Sequence, residues 1–184
     1  QSRAGVYFNP QRAQFVEIVV RDGKLLLGRF GDNQLIPVAR DRFRTANGQT
    51  EFVFRDATVE TIAPNRRDPV RFDRKATRAA SRALMEQYAG EYFSEELDAT
   101  YHIAATDSTI TFRTGTSDPI PARLVFVDGF AARNYTVVFS RSGTRVTGFE
   151  IIPLAKLAPA TGGFPSAIHV NPAWPARAPA ASTR

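Results

Sequence analysis

Apolar residues along this chain gather in short runs separated by turn residues, with the period of two expected of strands. Phe15-Val16-Glu17-Ile18-Val19-Val20 is rich in β-branched side chains. It leads into Asp22-Gly23, a strong two-residue hairpin signal, and then into Lys24-Leu25-Leu26-Leu27. Further runs cover residues 34–39, 50–55, 58–62 and 69–73, with residues 6–9 before them and a short run around Phe43. Together they predict eight short strands before residue 76. Nothing between them is long enough for a crossover helix, so the strands should meander.

The pattern then repeats. A shift of 85 positions lays Gly5-Val6-Tyr7-Phe8 on Gly90-Glu91-Tyr92-Phe93. The same shift matches Ile18 to Ile103, Asp22 to Asp107, Leu25 to Ile110 and Leu27 to Phe112. After a two-residue insertion Val38, Asp41 and Phe43 fall on Val125, Asp128 and Phe130. The offset then returns to 85, and Val53-Phe54 meets Val138-Phe139. Matches in one consistent order mean that one unit was written twice. Strands of the second copy are expected at residues 91–94, 99–105, 109–113, 120–126, near Phe130, at 135–141 and at 145–152. Its eighth strand falls at either 154–158 or 167–170.

One segment breaks the rule of two. Residues 76–89 are Ala-rich, lack Pro and Gly, and stop before Gly90, which predicts a helix with Ala80, Leu84 and Tyr88 on one face. From Pro153 onward prolines recur, and residues 159–184 are expected to form an extended tail. The fold expected is therefore all-β. Two small eight-stranded antiparallel barrels, residues 1–75 and 90–158, flank a linker helix at 76–89. Closure of each sheet would remove the exposed edges of an open one, and eight strands enclose an interior that side chains nearly fill.

Composition narrows the function. The chain carries no cysteine, so disulfide and thiolate chemistry are excluded. A net charge of +6 comes from 21 Arg and 3 Lys against 18 acidic residues, but the arginines are spread from Arg3 to Arg184. Nucleic-acid binding needs a concentrated patch, and no nucleic-acid partner is expected. No apolar stretch is long enough for a transmembrane helix. Gln1-Ser2-Arg3-Ala4-Gly5 has neither an initiating methionine nor an apolar leader, and a strand begins almost at once. That is the look of a piece of a larger protein.

No catalytic, cofactor-binding or metal-binding residue is assigned, and no cofactor is expected. A serine nucleophile of the β-lactamase type needs Ser-x-x-Lys, where an amine activates the hydroxyl, and none of the serines fits. Tyr7-Phe8-Asn9 imitates a Tyr-x-Asn element, but its repeat partner ends in Ser94, so both copies read as packing. Arg113-Thr114-Gly115 resembles a Lys-Thr-Gly element only loosely. His102 and His169 lack a partner at metal-ligand spacing. Glu95, Glu96 and Asp98 crowd one turn without the alternating donors of a calcium loop. Thr161-Gly162-Gly163 is followed by Phe164-Pro165, not by the helix start a phosphate loop requires.

The stretch Leu84-Met85-Glu86-Gln87-Tyr88-Ala89-Gly90-Glu91-Tyr92-Phe93-Ser94-Glu95-Glu96-Leu97-Asp98-Ala99-Thr100-Tyr101 carries a resemblance. It resembles the opening of the lipocalin-like β-barrel domain that follows serine hydrolases of the β-lactamase and penicillin-binding-protein group. Asp128-x-Phe130, Val138-Phe139 and Gly143-x-x-Val146-x-Gly148-Phe149 also look like that domain, and the first copy carries a weaker version. D-aminopeptidase-like members are similar in having two consecutive barrels. The resemblance implies a non-catalytic accessory module that packs on a bacterial serine hydrolase domain, limits or shapes substrate access, and is exported to the periplasm or beyond. The alternative is a lipocalin-like carrier of a small apolar ligand, which requires an empty apolar cavity of roughly 300 Å³ or more inside a barrel.

Overall fold

The computed structural model of this chain describes residues 3–12, 14–28, 33–153 and 168–172. The described residues form sixteen strands and one short α-helix, and the chain divides into two compact units, Gln1–Arg78 and Ala79–Arg184.

In the first unit β1 (Gly5–Asn9), β2 (Gln14–Arg21), β3 (Lys24–Leu27), β4 (Leu35–Ala39), β5 (Arg42–Thr45), β6 (Glu51–Arg55), β7 (Thr58–Ile62) and β8 (Val70–Lys75) form one antiparallel meander, and β8 returns to pair with β1. Asp22 and Gly23 both take positive φ, 50° and 72°, as the two central residues of a type I′ hairpin must. The barrel is almost closed. Among the described residues one bridge, Leu26 to Gln34, and one backbone bond, Leu27 N to Asn33 O at 3.0 Å, join β3 to the residues that lead into β4. Pro37 lies in β4 beside this seam, where the missing N–H removes no ladder bond.

The second unit repeats the plan with β9 (Gly90–Ser94), β10 (Ala99–Ala105), β11 (Thr109–Thr114), β12 (Ile120–Phe126), β13 (Gly129–Ala132), β14 (Tyr135–Ser142) and β15 (Arg145–Pro153). An eighth strand, β16 (Ile168–Pro172), pairs with β15 on one side and β9 on the other and closes the barrel. Of the two positions expected for the eighth strand, 167–170 is the one that pairs, so residues 168–172 of the expected tail over 159–184 belong to the barrel. Ile168-His169-Val170 is a β-branched run that stops at Pro172, and it fills the gap that β9 and β15 would otherwise leave as two open edges. Residues 154–158 lie outside the described residues. Gly129 opens β13 under the Phe126 ring, so close that a Cβ there would fall 2.1 Å from the ring carbons. The pairing of β12 with β13 shifts register between Leu124 and Phe126.

The helix is shorter than its sequence suggests. Only α1 (Arg82–Met85) is helical, followed by a 3-10 turn over Glu86–Tyr88, while residues 76–80 are not. Ser81 caps α1 in an extended conformation, its Oγ accepting from Leu84 N at 3.3 Å. Residues 76–80 are exposed and bury no apolar face, and Ala content alone does not sustain a short helix. Leu84, Met85 and Tyr88 are instead buried in the core of the second barrel. The short helix that joins the two barrels thus packs into the core of the second. Among the described residues no helix is long and apolar enough to cross a membrane.

Candidate functional site

Gly5 and Gly90 open the first strand of each barrel with φ of 154° and 151°, a region that side chains disfavour. Two residues on, Tyr7 and Tyr92 point inward and are almost wholly buried. Each phenol donates to the carbonyl four residues earlier, Tyr7 to Arg3 O and Tyr92 to Tyr88 O, both at 3.0 Å. Phe54 N bonds to Asp41 O at 2.9 Å, and Phe139 N to Asp128 O at 2.8 Å. The rings agree as well. Phe43 meets Phe54 edge-on at 5.5 Å, and Phe130 meets Phe139 at 5.4 Å; Tyr7–Phe54 and Tyr92–Phe139 stand at 6.1 and 6.2 Å. The repeat read from sequence is therefore repeated atom by atom at one end of each barrel.

The copies part at two positions, where the shift of 85 sets Tyr88 opposite Arg3 and Arg141 opposite Asp56. Tyr88 closes the end of the second barrel: its ring lies 4.9 Å from Phe130 and 4.8 Å from Phe139, and its hydroxyl donates to Asp128 Oδ1 at 2.9 Å. Arg141 covers it, with its guanidinium 5.0 Å from the Tyr88 ring centre and Nε donating to Asp128 Oδ1 at 2.6 Å. Burial alone would lower the Arg141 pKa, but the bonds to Asp128 and Tyr88 overcome it and raise the value. In the first barrel the residue 85 places earlier is Arg3. It bonds to Asp41 Oδ1 and Arg40 O, each at 2.6 Å, and lies 5.2 Å from the Phe43 ring centre. Among the described residues no bulky side chain fills this mouth. A cavity of about 340 Å³ is left, lined by Arg3, Arg40, Arg55 and Arg74, by Asp41 and Asp56, and by Tyr7 and Phe54.

At the opposite end of the second barrel an apolar recess of about 230 Å³ opens between Tyr101, Phe112, Ile120, Tyr135 and Ile151. Below it the interior is packed with aromatic rings, Phe139 and Phe149 at its centre 5.2 Å apart. The recess is smaller than typical ligand pockets, which begin at roughly 300 Å³.

The residues that the sequence singled out are scattered. Asn9 donates to Arg71 O and accepts from Arg12 N, whereas Ser94 is buried and accepts from Leu97 N, so the third position of each Tyr-x-x triplet fixes its own turn. Thr114 pairs with Ser117 across the turn holding Gly115, and Arg113 is exposed. His102 Nδ1 lies 3.2 Å from Glu91 Oε1, a cross-strand pair on the outer face of β9 and β10. Glu95, Glu96 and Asp98 stay in the exposed turn before β10. His169 pairs through its backbone with Glu150. Thr161, Gly162 and Gly163 lie outside the described residues. Among the described residues no group of three His, Asp or Glu side chains is placed to hold a metal ion.

Burial raises the phenol pKa of Tyr7, Tyr88, Tyr92 and Tyr101 above the ordinary value, with Arg74 and Arg3 opposing it at Tyr7 and Arg141 at Tyr92. The folded chain thus keeps protons that the unfolded chain gives up near pH 10. This contribution to stability is complete below about pH 10 and is lost as pH rises through the raised folded values. Urea midpoints followed together with tyrosinate absorbance should fall in that range, with the absorbance rising as the barrels unfold. Tyrosinate formed by all four residues at the ordinary phenol pKa, with the fold intact, would contradict it.

Arg3 and Arg141 are the residues that strand periodicity did not reveal. The shift that matches Tyr7 to Tyr92 also sets Arg3 opposite Tyr88, and that mismatch was the available signal. No protein-family model matches this chain, and no curated protein is similar enough to count as a relative.

Proposed function

We propose that the chain is a non-catalytic accessory module of a larger, exported bacterial serine hydrolase, packing on the catalytic domain and limiting or shaping access to it. The observation that carries the reading is where the resembling residues go. Tyr88, Tyr92, Asp128, Phe130, Phe139 and Phe149 converge on one constellation that closes and fills a barrel. A barrel end whose polar groups bond to one another and to its own backbone suits a scaffold rather than a reaction vessel. The first barrel adds exposed apolar side chains on strands flanking β3, Val20 at 57%, Ile36 at 44% and Val38 at 49% of their full exposure, which suit contact with a partner.

The purified chain, assayed with nitrocefin and with D-amino-acid amides, should show no turnover above buffer. The coding sequence upstream of Gln1 should encode a domain with Ser-x-x-Lys. Specific hydrolysis by the chain, or an upstream sequence without such a domain, would overturn the proposal.

A further inference from the structure

We infer that the mouth of the first barrel is a binding site for an oxyanion, a carboxylate or phosphate group carried by a small ligand. The inference stands apart from the accessory role and would hold in a free-standing protein. It rests on the contrast between the two copies. The same end is closed by Tyr88 under Arg141 in the second barrel, yet in the first it holds a cavity of about 340 Å³. Four arginines and two aspartates line that cavity, an excess of two positive charges.

The four guanidiniums are not equivalent. Arg3 is committed to Asp41 and to Arg40 O, and Arg55 to Glu60 at 3.4 Å. Arg74 is held by Ala4 O at 2.5 Å and lies 5.8 Å from the centre of the Tyr7 ring, which fixes it at the rim. Arg40 has no side-chain partner among the described residues, although its carbonyl is gripped by Arg3. A planar fork with several N–H donors on a backbone that is itself pinned is suited to bidentate capture of an oxyanion. Asp56, on the turn after β6 with φ of 45°, lies at the same mouth and would select against anions too bulky to stay on the arginine side.

The test is a titration of the isotopically labelled full chain with inorganic phosphate and, separately, with acetate, ionic strength being held constant with chloride. Saturable shifts of the Arg40 and Arg74 Nε–H signals and of the Ala4 and Asp56 amides are expected. Arg40→Ala should weaken half-saturation by about fivefold or more, the loss of one charged hydrogen bond. Arg3→Tyr, which places the second barrel's plug in the first, should abolish it. Arg113→Ala, an exposed arginine on β11, should leave it unchanged. Saturation by phosphate alone assigns a phosphate-bearing ligand, and saturation by acetate a carboxylate. Shifts that stay linear with both anions, or saturation unmoved by Arg40→Ala, would overturn the site. Should Arg3→Tyr fail to fold, Arg40→Ala decides, because that side chain supports nothing else described.

Discussion

Replacing Phe139 with alanine should remove about 3–5 kcal/mol from the second barrel, the cost usual for a fully packed ring. Phe139 is buried on β14, and its ring stands within 4.8 to 6.4 Å of the ring centres of Tyr88, Phe149, Phe130, Tyr92 and Phe112. Truncation therefore removes apolar burial and also the shared neighbour of five rings that cannot all collapse into one gap. Calorimetry of the full chain measures it. The transition of the second unit should fall while that of the first stays, because each unit has its own core. The matched change, Phe54→Ala, should move only the other transition and by less, since Phe54 meets two rings, Tyr7 and Phe43. Equal movement of both transitions by either variant would mean that the two cores unfold as one.

The pairing of Phe54 with Phe139 was visible in the sequence because barrel strands advertise themselves by alternation, and a repeat doubles the signal. Most strand limits followed from the same alternation, and the Asp22-Gly23 hairpin from a two-residue turn whose dihedrals few other residues tolerate. The misses have physical causes. Residues 76–80 carry helix-forming alanines, but propensity without a buried face loses to solvation, and Ser81 ends the matter by capping one turn. For the eighth strand of the second barrel two positions stayed open, 154–158 and 167–170, because a closing strand is defined by the edges it joins, which lie far away in sequence; the pairing of β16 with β15 and β9 selects the second. The arginine-lined mouth hides for a subtler reason. Arg3 and Tyr88 occupy one position in the repeat, and a substitution between copies looks like noise until the structure shows one side chain plugging a barrel and the other leaving it open. No local motif encodes a cavity made by what a neighbouring copy has and this one lacks.

Asp128→Asn should destabilise the second barrel by about 2 kcal/mol, through the loss of charge from a pair of hydrogen bonds rather than of the bonds themselves. Asp128 Oδ1 receives both the Tyr88 hydroxyl and Arg141 Nε, and the two side chains of the ion pair are only 23% and 18% exposed. Asparagine retains an oxygen for them but leaves the Arg141 guanidinium without its counter-charge; its remaining partners are Thr144 O at 2.7 Å and Gln87 Oε1 at 3.2 Å. Asp128 also sits at φ 66°, which asparagine tolerates and alanine does not, so Asp128→Ala should cost about 1–2 kcal/mol more than Asp128→Gly. A double-mutant cycle with Tyr88→Phe separates the phenol bond from the ion pair, and a coupling near zero would show that Tyr88 is held by ring packing alone. In the first barrel Asp41→Asn should matter less, because the Asp41 side chain is 54% exposed and its ion pair in the mouth is with the partly exposed Arg3. If the two asparagine variants lose equal stability, then the closed and the open mouth are energetically alike, and the tyrosine plug would have to be explained by something other than the aspartate it caps.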